Sequence, residues 1–162
     1  MQRSFLTRAD LAVAGAGDES AFLRITANAD DLGRLYPWLA DHGATRELPK
    51  PVLQRMHVAL EEAVMNVAMH AYAPGEDGEI VIRLRTSADA ACLIVEDGGP
   101  AFDPTVAPTR ERPESLEAMP VGGLGLTLLR HYCADIGYER IADRNRLTLR
   151  FPLPSATQPG CG

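Results

Sequence analysis

Lysine is almost missing from this chain. Lys50 is the single lysine in 162 residues, and the remaining basic character is arginine. Chemistry that needs a lysine, such as a P-loop ammonium or a Schiff base, is excluded unless Lys50 serves it. Cysteine is scarce too. Cys92, Cys133 and Cys161 form no CxxC pair, and an odd count argues against a disulfide framework. Cys92 lies in an apolar run and is expected as a small core residue, in a reduced, cytoplasmic setting. No apolar stretch approaches the roughly 18 residues of a membrane span. The opening "MQRSFLTRADLAVAGAGDES" is too often interrupted by charge to read as a signal peptide. Excess positive charge is also absent. The net charge is -6 and the pI about 5.2, so no basic field invites nucleic acid or an anionic membrane.

What is present is the composition of an ordinary globule, 46% hydrophobic and 23% charged, in a length that suits one domain with a sizeable core. Residues 1–19 are Gly/Ala-rich and read as an arm, 20–153 as the domain, and 154–162 as a disordered tail. "AFLRITA" reads as a strand. "NADDLGRLYPWLADHG" reads as a helix capped by Asn28 or Asp30, with Leu32, Leu35 and Leu39 on one face and Pro37 kinking or dividing it. Pro49 and Pro51 open a long second helix running to about Tyr72, where "APGEDG" stops it. "EIVIRLRT" and "AACLIVED" form a hairpin, the second strand deeply buried. Gly98 to Gly123 contains five prolines and little periodicity, which predicts a long mobile loop. A helix restarts at "LGLTLLRHYCADIG", and "YERIADRNRLTLRFPL" closes with a hairpin around Asp143–Asn145. Antiparallel pairs beside helices indicate an α+β two-layer sandwich, a mixed and mostly antiparallel sheet with about three helices on one face.

The second helix has an odd polar face. In "LEEAVMNVAMHAY", Leu60, Val64, Val67 and Ala71 recur at core spacing, while Glu62, Asn66 and His70 stack four apart on the other side. A solubilising face would carry Lys, Arg and Glu, not Asn. A carboxylate four residues before an amide can hold a hydroxyl at one end and a Mg²⁺ at the other, since amide carbonyls suit hard cations. The plain alternative is a hydrated helix face.

Three further pieces lie downstream. In "VEDGGPAFDP", Asp97 leaves an apolar strand and can accept a hydrogen bond from an exocyclic amine, with glycines that let backbone approach a flat ring. An acidic turn closing a strand is the plain alternative. "GGLGL", Gly122, Gly123, Leu124, Gly125 and Leu126, opens a helix whose N-terminus suits an anion; the alternative is a glycine pair kept for packing. No strand precedes these glycines and no G-K-[ST] follows, which removes Rossmann and Walker A readings. The loop between could fold over a phosphate tail as a lid, its Arg110 and Arg112 reaching phosphate oxygens or simply solvated.

In this order, "ExxxN…DxGxxFDP…GGxGL" resembles the nucleotide-binding boxes of the superfamily of gyrase, heat-shock chaperone ATPases, histidine kinases and MutL, whose ATP-binding domain has the Bergerat fold. More narrowly, "EEAVMNVAMHAY", "VEDGGPAFDP", "GGLGLTLL" and "YERIADRNRLTLRF" resemble the anti-sigma factor serine-protein kinases. The resemblance covers about Ala21 to Leu153. It implies ATP and Mg²⁺ as ligands. Asn66 would hold the metal and Glu62 would be the general base; Glu61 is a rival about 100° around the helix. Asp97 would take the adenine amine, Gly99 would shape the base pocket, and Gly123 and Gly125 would support the phosphates. His70 would help hold the helix or the metal shell, or be structural.

The implied reaction moves the γ-phosphoryl of ATP to a serine or threonine of a STAS-type anti-anti-sigma protein and so controls a sigma factor. Homodimers are common among such kinases. One departure stands out. These kinases often carry a basic residue about two positions before the GxG glycine, where this chain has Pro120 and Val121. Either Arg110 or Arg112 supplies that charge, or the chain is a non-catalytic, ATP-gated partner-binding switch.

Overall fold

The computed structural model describes residues 21–106 and 125–154. The expected arm and, beyond Pro154, the expected tail lie outside the described residues, as do Arg110, Arg112, Gly122, Gly123 and Leu124. Strand β1 (Ala21–Thr26) leads into a single helical turn, α1 (Ala29–Leu32), then helices α2 (Leu35–Thr45) and α3 (Lys50–His70). Strands β2 (Glu79–Thr86) and β3 (Ala90–Asp97) follow, then helix α4 (Gly125–Tyr132) and strands β4 (Asp135–Ile141) and β5 (Arg144–Pro152).

The local reasons are visible in the sequence. Asn28 caps α1, its side chain accepting from the Asp31 N–H at 2.9 Å. The expected single helix is divided, but before Pro37. The break falls at Gly33–Arg34, and Pro37 sits in the first turn of α2, where it has no intrahelical N–H bond to forfeit. Pro49 caps α3 and Pro51 lies in its first turn for the same reason. Ala142 and Asp143 both have positive φ, 46° and 62°, forming the two-residue turn of the β4–β5 hairpin.

The sheet runs β1-β2-β3-β5-β4, and every pairing described is antiparallel. The parallel member of the expected mixed sheet is therefore absent among the described residues. After β3 the chain crosses to α4 and returns through β4 on the outside, so β5 runs back beside β3 in opposite sense. That placement makes Asp97 the register partner of Asn145.

Ile80, Ile82, Leu84, Leu93, Val95, Leu149 and Phe151 alternate along β2, β3 and β5. They meet Met56, Leu60 and Val64 of α3 and Leu129 of α4 in one apolar core, which the hydrophobic effect stabilises in proportion to its buried area. The alternate residues face the other way. Cys92 belongs to this second set, beside Arg83, Arg85 and Arg150, so it is not the core cysteine expected from its apolar run. Strand period puts it on the open face; of the two described cysteines, Cys133 is the one in the core.

Candidate functional site

Helix α3 delivers its polar face to the edge of the core. Ala59, Leu60, Ala63 and Val64 are buried, which fixes the rotation of the helix and leaves Glu62, Asn66 and His70 on the boundary. Glu62 is half-buried and its neighbour Glu61 exposed. Partial burial, with the Glu61 charge next to it, pushes the Glu62 carboxyl above the ordinary glutamate value, which makes it a stronger base. Neither Glu62 nor Asn66 makes a side-chain hydrogen bond to a described residue. A half-buried amide without a partner is poised for a ligand or water.

Asp97 closes β3 and is only 5% exposed. Its Oδ1 accepts from the Gly99 N–H at 2.8 Å and from Asn145 Nδ2 at 2.9 Å. Gly99 lies against the end of α3. A Cβ there would sit 2.5 Å from the Ala71 Cβ and 2.8 Å from its carbonyl oxygen, so only glycine lets the chain pass this close. Tyr72 ties the same corner: its hydroxyl accepts from the Gly98 N–H at 2.9 Å and donates to the Glu79 carbonyl at 2.9 Å.

Between these elements lies a cavity of about 230 Å³. Ala63, Asn66, Val67 and His70 form its α3 wall; Asp97, Phe102 and Leu147 are among the residues that complete it. The lining is mostly apolar with a few convergent polar groups, the usual character of a small-molecule site. The sequence-based expectation brought Asn66, His70 and Asp97 to one place, and the structure does the same. Glu62 does not line the cavity; it lies one helical turn before Asn66.

Helix α4 adds Leu129 to the cavity wall. Its first residue is Gly125, and Leu126 packs against the core. Of the "GGLGL" stretch, Gly125 and Leu126 lie in the first turn of this helix, and the other three residues lie outside the described residues. Arg130 of α4 donates to the carbonyls of Pro104 and Thr105 at 3.4 and 3.3 Å, tethering the chain that leaves Asp97 to this helix. Sequence reasoning did not single out Arg130, Tyr138, Arg140 or Asn145.

The cavity suits a nucleoside: a carboxylate acceptor for an amine and apolar walls for a ring. Asn66 offers one hard oxygen donor, and no group of three or more His, Cys, Asp or Glu gathers as a metal site among the described residues. That fits a Mg²⁺ kept largely by water and phosphate oxygens.

A larger hollow, about 300 Å³, lies on the open face of the sheet. Its acidic groups are already engaged. Glu96 bonds Arg146 at 2.7 Å and Arg83 at 3.4 Å, Glu139 pairs with Arg146, and Asp89 with Arg150. Burial pushes the Glu96 carboxyl up, but the hydrogen bonds and charges of the two arginines outweigh it and hold Glu96 below its usual value. The acidic groups of this face are thus held in ion pairs with Arg83, Arg146 and Arg150.

Residues 25–151 match the family model of the histidine kinase-like ATPase domain. The chain is 34% identical over 113 residues to the serine/threonine-protein kinase BtrW of Bordetella bronchiseptica, covering 69% of this chain and 79% of that protein. It is 32% identical over 88 residues to the serine-protein kinase RsbW of Listeria innocua, covering 52% of this chain and 56% of that protein. With the RsbW of Bacillus pumilus the identity is 32% over 89 residues, covering 48% and 52%. The aligned segment thus spans little more than half of the RsbW relatives. No helix among the described residues is long and apolar enough to cross a membrane.

Proposed function

The chain belongs to the histidine kinase-like ATPase domain family, and from that premise we propose that it binds ATP with Mg²⁺ and phosphorylates a serine or threonine of a STAS-type anti-anti-sigma protein, acting as an anti-sigma regulatory kinase. The observation that carries this reading is the cavity between α3 and the exit of β3, with Asp97 on one wall and, on the other, the Asn66 amide, which has no hydrogen-bond partner among the described residues.

In this reading Asp97 accepts from the adenine amine while Val67, Phe102 and Leu147 exclude water from the ring. Asn66 is the protein ligand for Mg²⁺, which when bound would neutralise phosphate charge. Gly125 presents its backbone N–H to the phosphates at the start of α4, and Gly123, outside the described residues, is assigned the same role. Glu62, one helical turn before Asn66 and with a raised proton affinity, takes the proton from the partner's hydroxyl. General-base assistance of this kind contributes about 10²–10⁴-fold in rate. BtrW and RsbW carry the name of serine or serine/threonine kinases, which supports the same chemistry here.

The test is transfer of labelled γ-phosphate to a purified STAS-domain protein by wild type and Glu62→Gln. Loss of transfer with ATP binding retained is expected. Unchanged transfer would remove Glu62 from the role of base. The second reading, an ATP-gated switch without transfer, is favoured by one feature only, Pro120 and Val121 where a basic residue is common. Its signature is ATP-dependent capture of the STAS protein with no phosphate on it.

A further inference from the structure

Asp97 is held from one side. Its Oδ1 takes both the Gly99 N–H and the Asn145 amide, while Oδ2 has no hydrogen-bond partner among the described residues. The carboxylate is therefore oriented, with one oxygen committed to the protein and the other left for a ligand.

What orients it begins one strand further out. Asn145 is 6% exposed, and its Oδ1 accepts from the Tyr138 hydroxyl at 2.7 Å and from Arg140 Nη1 at 2.9 Å. An amide side chain has one acceptor and two donors. With donors gathered around its oxygen, the NH₂ has to face the other way. Both of its hydrogens are then committed, to Asp97 Oδ1 and to the Pro100 carbonyl at 2.9 Å. Arg140 Nη1 also donates to the Gly99 carbonyl at 2.7 Å, steadying the peptide next to the one that donates to Asp97.

This arrangement bears on which purine the cavity accepts. Adenine offers an amine where guanine offers a carbonyl oxygen, with the guanine N–H donors displaced around the ring. A carboxylate free to swing could follow those donors; one clamped on Oδ1 cannot. Asn145 has no spare N–H for the guanine oxygen, because both are used inside the protein. We propose that Tyr138 and Arg140, acting through Asn145, are positioning residues that set the preference of this site for adenine over guanine by holding Asp97 in one orientation. The proposal rests on the reading of this cavity as the base pocket.

The experiment is calorimetric titration of the full chain with ATP and with GTP, each with Mg²⁺. The proteins are wild type, Asp97→Asn, Tyr138→Phe, Arg140→Met and the double variant. A structural role alone would weaken both nucleotides together, so the readout is the ratio of the two affinities. Losing one orienting hydrogen bond is expected to cut the ATP-over-GTP ratio about three- to tenfold, more in the double variant, with Arg140→Lys restoring part of it. An unchanged ratio in the folded double variant overturns the proposal. Tyr138→Phe removes a single hydroxyl, and an unchanged ratio there overturns it equally should the double variant not fold. If wild type binds no ATP, or Asp97→Asn binds it equally well, the base-pocket reading itself fails, which is a different result from a retained ratio.

Discussion

The hydroxyl of Tyr72 accepts a hydrogen bond from the Gly98 N–H at 2.9 Å, joining the residue just past α3 to the residue just past Asp97. The same hydroxyl donates to the Glu79 carbonyl, and the Tyr72 ring occupies the space that a Cβ on Gly78 would need. One side chain thus sets the spacing between the helix that carries Asn66 and the strand that carries Asp97. Tyr72→Phe keeps the ring and removes both bonds. It is expected to cost about 1 kcal/mol, because exposed Gly98 can turn to water, and to lower the urea midpoint with an unchanged slope. A midpoint equal to wild type would mean that the ring alone holds the corner.

Gly99→Ala is expected to do more. The new methyl would meet Ala71 on its Cβ, its carbonyl oxygen and its Cα, and two of these are backbone atoms that cannot rotate away. The Asp97–Gly99 turn would have to move, at a cost of about 1–3 kcal/mol, taking Asp97 with it. Thermal unfolding and ATP titration on the same sample should both show the loss. A variant as stable as wild type would indicate that the turn has slack.

Glu62 makes a pH-dependent contribution whose sign follows from its environment. Burial and the Glu61 charge raise its folded-state value above the ordinary glutamate value of 4.5, so folding is penalised while the group is ionised. The penalty is fully present above the raised folded value and disappears as pH falls through that value to the ordinary one. Glu62→Gln has no such penalty. Its melting temperature should exceed that of wild type at neutral pH, and the difference should close on acidification across that window. A difference independent of pH would assign the effect to packing.

Burial pushes the Cys133 thiol up to about 12, and burial likewise raises Cys92. Because the thiolate is the nucleophile, Cys133 should resist iodoacetamide at neutral pH and react only on unfolding in urea, as peptide mass spectrometry would read. Rapid modification of the folded protein at Cys133 would contradict the packing of α4 on the core.

Much of the site was legible before the fold. Asn66 was conspicuous because a surface helix has little use for an amide among core-spaced residues, and Asp97 because a carboxylate ended an apolar run before two glycines. Gly125 could be placed at a helix start because glycine weakens a helix interior. Asn145 was hidden. In "ADRN" it reads as one more turn residue, and its meaning depends on β5 lying beside β3, which local pattern does not reveal. Tyr138 and Arg140 were hidden for the same reason, since they act only across that pairing. Cys92 was misplaced because β3 is buried on both faces: Ile94 and Glu96 on the open side are nearly as inaccessible as Leu93 and Val95 in the core. Hydrophobicity alone could not say which residues met the helices.

The most direct measurement is calorimetric titration with ATP, with and without Mg²⁺, of wild type and Asp97→Asn. The substitution removes a charge-assisted hydrogen bond and leaves the shape of the cavity. Mg²⁺-dependent binding by wild type, weakened about ten- to a hundredfold in the variant, is the expected result. Equal affinity in the two proteins, or no binding by wild type, would contradict the assignment of this cavity to the nucleotide.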